Sequence, residues 1–257
     1  MNRINRLFQD KPKGILSVYF TAGFPQADDT AEIIRELERQ DVDLVEIGIP
    51  FSDPMADGEV IQQSSTAALR NGMTLNKLFG QLAGIRQDVS IPLILMGYLN
   101  PIMQYGVENF CRSCVAAGID GVIVPDLPFN DYLREYKPLA EKYGLRFIML
   151  ITPETSEERI RLIDEHTDGF IYMVSTASTT GTKDRFGDRT LDYFRRINAM
   201  SLRNPRLIGF GISNRATLAA AQENAAGAII GSGFVKQLAA RPTVREAVTG
   251  LLEQLEK

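Results

Sequence analysis

EKYGLRFIML, residues 141–150, carries the repeating unit of this chain in one short stretch. It opens as the charged end of a helical pattern, stops at Gly144 and turns into an unbroken apolar run. Glycine is the usual helix stop because it takes the left-handed conformation without a Cβ penalty. An apolar run without polar alternation suits a parallel strand covered on both faces. The same step recurs upstream in AAGIDGVIV, residues 116–124.

Working outward from it, eight such runs emerge: ILSVYF (15–20), DLVEIGI (43–49), PLILMG (92–97), DGVIVP (120–125), RFIMLI (146–151), GFIYMV (169–174), RLIGFG (206–211) and GAIIGS (227–232). Between them lie segments with apolar residues three and four apart and charges opposite, among them TAEIIRELERQ (30–40), LNKLFGQLAGI (75–85), NDYLREYKPLAEKY (130–143) and SEERIRLIDEH (156–166). That spacing is helical. Eight strand–helix units in 257 residues is the rhythm of a (β/α)8 TIM barrel. The expected architecture is one such barrel over residues 1–257. A short extra helix should precede it, with extra helical segments near strands two and eight. An open, doubly wound sheet is the structural alternative. No Pro/Gly/Ser-rich linker divides the chain.

Composition removes several classes of function. A net charge of −4 argues against a nucleic-acid binder, which usually carries a basic excess. The single histidine, His166, cannot build a histidine-rich zinc site and reads as a helix C-terminal residue. The two cysteines, Cys111 and Cys114, form a C-x-x-C inside a helical pattern (VENFCRSCVAAG, 107–118), which favours packing over redox chemistry. Few cysteines suit a reducing cytoplasm. No apolar leader is seen at the N-terminus, and no run approaches the ~18 apolar residues of a membrane span.

Three motifs could carry chemistry. In VEIGIPFSDPMADGEVIQQS (45–64), Glu46 interrupts an apolar strand, where burial should raise its proton affinity. Asp57 follows on the loop beyond, where a barrel puts its active site. The plainer reading of the pair is a salt-bridged glutamate and a helix-capping aspartate. GFGIS (209–213) and GSGF (231–234) each end a strand and open a helix. Backbone N–H groups at such positions bind phosphate, and loops seven and eight are the usual barrel phosphate site. VSTASTTGTKDRFGDR (174–189) reads as a lid that closes over a ligand, or as a solvated surface loop. No lysine falls in any of the eight runs, and Lys183 and Lys236 lie in the lid and in a helix. Neither lysine is well placed for a Schiff base and a metal-dependent aldolase wants several histidines, so a carbon–carbon lyase here would work with protons alone.

These stretches together resemble the tryptophan synthase alpha chain family. The resemblance runs through TAGFP (21–25), E-x-G-x-P-F-S-D-P-x-A-D-G (46–58), YLNP (98–101), VPDLP (124–128), GFGIS and GSGF, nearly the whole chain. It implies cleavage of indole-3-glycerol phosphate to indole and glyceraldehyde 3-phosphate. The partner it implies is a pyridoxal-phosphate beta subunit in an alpha2beta2 complex, with no cofactor in this chain. Carried over, the catalytic carboxyls fall on Glu46 and Asp57, with Tyr172 in support. Asp57 would accept the indole N–H, and Glu46 would move protons at the ring C3 and the glycerol hydroxyl. The phosphate ligands would be Gly181, Gly211, Gly231 and Ser232. The indole pocket would be Phe20, Tyr98, Ile123, Leu150, Phe210 and Ile229. Asp53 and Pro54 would meet the beta subunit. Three positions depart from the family pattern: Glu59 stands where proline is frequent, Ser178 where glycine is usual, and Gly233 where alanine is frequent. Other phosphosugar enzymes of the isomerase class, and a non-catalytic activating subunit, remain as alternatives.

Overall fold

The computed structural model describes residues 1–175 and 185–256. Its eight strands are β1 (Ile15–Thr21), β2 (Leu44–Gly48), β3 (Leu93–Met96), β4 (Gly121–Ile123), β5 (Arg146–Ile151), β6 (Ile171–Val174), β7 (Arg206–Gly209) and β8 (Gly227–Ile230). All neighbours are parallel, and β8 pairs back onto β1, closing the barrel in the order β1 to β8. Each strand lies within one of the eight apolar runs or one residue beyond it. The open-sheet alternative is excluded by the closure.

The helices follow from the sequence in chain order. α1 (Arg3–Asp10) precedes the barrel and α2 (Thr30–Arg39) follows β1. After β2 come α3 (Glu59–Arg70) and α4 (Leu75–Leu82). After β3 come α5 (Leu99–Tyr105) and α6 (Val107–Ala116). The segment after β4 is α7 (Phe129–Asp131), a π turn over Tyr132–Tyr136, and α8 (Lys137–Tyr143). Then come α9 (Glu157–His166), α10 (Asp188–Ala199) and α11 (Arg215–Asn224). α12 (Ser232–Ala240) and α13 (Val244–Glu256) follow β8. The extra segments near strands two and eight are therefore α3/α4 and α12/α13.

Two helical features differ from the sequence reading. The helix after β3 is doubled, with α5 opening at Leu99 and Pro101 in its first turn, where a missing N–H costs nothing. The single helix expected over 130–143 widens into a π turn. Pro138 has no N–H to donate to the carbonyl four residues back, so the regular ladder breaks there.

The apolar core divides into two layers. An outer layer lies between the strands and the helices and includes Phe20, Val45, Ile47, Leu95 and Phe194. An inner layer fills the barrel and includes Tyr19, Ile94, Ile123, Ile148, Tyr172, Leu207 and Ile229. α1 closes the N-terminal end: Ile4 belongs to the inner layer, and Phe8 packs 5.8 Å from the Phe170 ring. Each large side chain buried this way stabilises the fold by ~1.5–3 kcal/mol. The opposite, C-terminal end is left to the loops.

Candidate active site

Glu46 points into the barrel and is wholly buried. Its position follows from strand parity: Leu44, Glu46 and Gly48 share one face of β2, while Val45 and Ile47 belong to the outer layer. The Ser17 hydroxyl donates to Oε1 at 2.9 Å. Oε2 is buried and has no hydrogen-bond partner among the described residues. Burial pushes the Glu46 carboxyl up to about 8, and the Ser17 hydrogen bond offsets only part of that. No cation reaches it among the described residues, so the salt-bridge reading of this glutamate fails.

Asp57 sits on the loop between β2 and α3. Gly58, not Asp57, is the residue that precedes the first turn of α3, so the capping reading fails as well. The Tyr98 hydroxyl donates to Asp57 Oδ2 at 2.9 Å and accepts from the Ala56 N–H at 3.0 Å. Tyr98 therefore holds the loop that carries Asp57. Burial pushes the Asp57 carboxyl up to about 6, with the Tyr98 hydrogen bond pulling it back. Glu59 is exposed, starts α3 and accepts from the Gln63 side chain. It is not among the causes of the Asp57 shift.

Two tyrosines flank Glu46. Tyr19 pairs with it across the β1–β2 register, and Tyr172 comes from β6. Burial raises both phenols, and the charges of Glu46 and Asp57 raise them further. Both rings need an adjacent glycine. A Cβ on Gly48 would collide with the Tyr19 hydroxyl, and one on Gly209 with the Tyr172 hydroxyl.

Four of the residues expected in the pocket lie in or against the inner layer, and Phe20 does not. Ile123 and Ile229 lie in the inner layer, with Leu150 and Phe210 packed against its rim. Phe210 meets Tyr172 edge-on at 6.2 Å. Tyr98 packs 5.4 Å from Phe51 at the mouth. Phe20 is not in the pocket: it lies in the outer layer, fully buried under the helices. Neighbouring residues on a strand face opposite sides, so Tyr19 occupies the place expected of Phe20. Ser17 and Thr21, polar and buried at the same parity as Tyr19, were the signal for that face.

Gly211 follows β7 with φ +74°, a conformation that favours glycine, next to Phe210 at φ +69°. Positive φ on an aromatic residue is uncommon and clusters at functional sites. The Ser175 hydroxyl donates to the Phe210 carbonyl at 2.6 Å, tying the ends of β6 and β7 together. Gly231 precedes the first turn of α12, where Ser232 is the first residue. A methyl group on Gly231 would lie 3.5 Å from the Tyr19 ring, so the helix start borders the carboxyl site. The N–H groups of that turn are donors suited to an anion. Gly181, Ser178 and Lys183 lie outside the described residues. Among the described residues there is no cluster of three or more His, Cys, Asp or Glu side chains placed to hold a metal.

Residues 6–257 match the family model described as tryptophan synthase alpha chain. The chain belongs to the tryptophan synthase alpha chain family. That family cleaves indole-3-glycerol phosphate and works with a beta subunit. The alpha chain of Parabacteroides distasonis is 63% identical over 257 residues, covering all of both chains. That of Bacteroides fragilis is 62% identical over 251 residues, 98% of this chain and 95% of the relative. Among solved structures, the alpha subunit from Legionella pneumophila superposes with a TM-score of 0.88 at 35% identity, covering 99% of this chain and 97% of that one. The tryptophan synthase complex from Pyrococcus furiosus gives 0.85 at 34% identity, covering 95% and 98%. In this alpha chain the C-x-x-C is helix packing: Cys111 and Cys114 are buried in α6, and burial pushes the Cys111 thiol up to about 11.

Proposed function

We propose that this chain cleaves indole-3-glycerol phosphate to indole and glyceraldehyde 3-phosphate by moving protons between substrate and two carboxyl groups. The observation that carries the reading is Glu46, a fully buried carboxyl in the mostly apolar barrel interior. One of its oxygens has no partner among the described residues, and a second, partly buried carboxyl, Asp57, lies on the loop that follows its strand.

The division of labour follows from the two environments. Near neutral pH Glu46 is largely protonated, its carboxyl lying at about 8, and Asp57, at about 6, is largely ionised. Glu46 gives its proton to C3 of the indole ring. The ring nitrogen gains positive charge, and the Asp57 carboxylate accepts its N–H and stabilises that charge. Glu46, now a carboxylate, takes the proton from the adjacent glycerol hydroxyl. The carbon–carbon bond breaks, its electrons restore the aromatic ring, and the aldehyde leaves. Glu46 ends protonated, as it began. Tyr172 supports Glu46, and Ile123, Leu150, Phe210, Ile229 and Tyr19 hold the indole. Gly211, Gly231 and Ser232, with Gly181 from outside the described residues, take the phosphate.

The partner in this reading is the beta subunit, to which pyridoxal phosphate belongs; the chain itself uses no cofactor in the proposed steps. The docking loop would be that of Asp53 and Pro54, where Asp53 and Met55 are exposed. A cytoplasmic setting is part of the proposal and rests on the biosynthetic family. No helix among the described residues is long and apolar enough to cross a membrane.

The deciding experiment is indole release from indole-3-glycerol phosphate, with and without beta subunit. Glu46→Gln and Asp57→Asn should each lower it at least about a hundredfold, the scale of a general acid/base. Near-normal turnover in either folded variant overturns the assignment. Turnover of a phosphosugar isomerase substrate instead would favour the alternative enzyme class.

A further inference from the structure

We propose that Ser17 is a positioning residue for Glu46, holding Oε1 so that the exchangeable proton resides on Oε2, the oxygen left free for substrate. The inference rests on the acid/base reading of Glu46 above and names the group that orients it.

Ser17 is itself wholly buried, in the middle of β1. A buried hydroxyl costs free energy unless it is hydrogen-bonded. An apolar side chain would fill the same place without that cost. The residues paired with Ser17 on either side, Leu44 and Ile229, are apolar. Its hydroxyl spends its one proton on Glu46 Oε1 at 2.9 Å. From β3, the residue paired with Glu46 is Ile94, which has nothing to donate. The titratable groups around Glu46 are Tyr19 on β1, Tyr172 on β6 and Asp57 on the loop, whose charge both tyrosines also feel. None of these three gives Glu46 a hydrogen bond among the described contacts.

In a protonated carboxyl the carbonyl oxygen is the better acceptor and the other oxygen carries the proton. A serine hydroxyl donating to Oε1 is best received by the carbonyl oxygen, so the hydrogen bond favours the carboxyl proton on Oε2. Without Ser17 the proton has two places to sit, the carboxyl is free to rotate, and only some of the arrangements aim it at the ring carbon. Fixed aim of this kind is what a supporting residue contributes to a site. The same hydrogen bond favours the ionised form, so its loss raises the proton affinity of Glu46 further.

The test compares Ser17→Thr with Ser17→Val, which add the same bulk and differ only in hydroxyl against methyl, alongside Ser17→Ala. The first readout is infrared titration of the full chain, following the protonated-carboxyl band that Glu46→Gln removes. Val and Ala should move its midpoint up by about one pH unit, the scale of one hydrogen bond, while Thr keeps the wild-type midpoint. The second readout is indole release: kcat should fall about tenfold in Val and Ala and stay within about twofold in Thr, with KM held in all three. Equal midpoints in Val and Thr overturn the proposal. If the larger side chains prevent folding, a wild-type midpoint in Ser17→Ala overturns it alone. If the wild-type chain releases no indole, the function proposal falls while the titration still decides the role of Ser17.

Discussion

Asp120 and Glu46 are both acidic side chains taken out of water within one barrel, and their surroundings are opposite. Asp120 precedes β4 at the end closed by α1 and is 4% exposed. Its Oδ2 accepts from Arg86 and from the Leu93 N–H, and its Oδ1 from Arg3 at 3.0 Å. Every lone pair that matters there is occupied, and two cations neutralise the charge. Glu46, fully buried in β2, has among the described residues a single neutral donor and one oxygen with no partner. The paired group holds α1, β3 and β4 together. The unpaired group is left able to change its protonation state. Two arginines meet Asp120 at the closed end, and among the described residues none reaches Glu46.

The largest effect that could break this comparison is removal of Asp120. Asp120→Ala leaves the Arg86 guanidinium, 16% exposed, without its carboxylate and should cost about 3–5 kcal/mol in urea unfolding. Turnover per folded molecule should change little. A cost near zero would mean that the closed end is not held by charge.

Glu46→Gln should do the reverse, losing turnover while gaining stability at high pH. The folded carboxyl at about 8 holds its proton where an unfolded one, at the ordinary 4.5, has lost it. Its contribution is therefore fully present below 4.5 and is lost as pH rises through about 8. Asp57 adds a smaller loss of the same sign between 3.8 and about 6. Wild-type stability from these two groups should decline from pH 3.8 to about pH 8, and Glu46→Gln should remove a decline of about 4–5 kcal/mol. Parallel pH curves for the two proteins would count against a buried, neutral Glu46.

A finer contrast sets Tyr19 against Phe20. Tyr19→Ala should raise KM for indole-3-glycerol phosphate about tenfold, the scale of a lost pocket contact. Phe20→Leu should cost about 1–2 kcal/mol of stability from the outer layer and leave KM within about twofold. The opposite pattern would restore Phe20 to the pocket. Smallest of the set, Asn2→Ala should cost about 1 kcal/mol. Asn2 caps α1 through the Ile4 N–H and donates to the Asp120 carbonyl.

These contrasts also mark what the sequence discloses. Eight strands and their order were legible because both-face burial writes a continuous apolar run. That same continuity hides which face each residue takes, so the sequence does not separate Phe20, in the outer layer, from Tyr19, in the inner one. Glu46 was legible because one charge in an apolar run is conspicuous. Ser17 was not, because a small polar residue in a strand looks like nothing until its partner lies 2.9 Å away. The sequence suggests Tyr98 as an indole contact but gives no sign that its hydroxyl also straps the Asp57 loop. The π turn over Tyr132–Tyr136 had its cause in plain view at Pro138, whose missing N–H removes a regular bond.

The interlock of Tyr19 with Gly48, and of Tyr172 with Gly209, has a consequence for how such barrels diverge. Neither glycine can gain even a methyl group while its tyrosine stays. Each pair must therefore drift as a unit: alanine at position 48 or 209 becomes tolerable only after the facing ring has shortened. Across related chains the two pairs should covary, so the shape of the cavity floor is inherited as two linked letters rather than four independent ones.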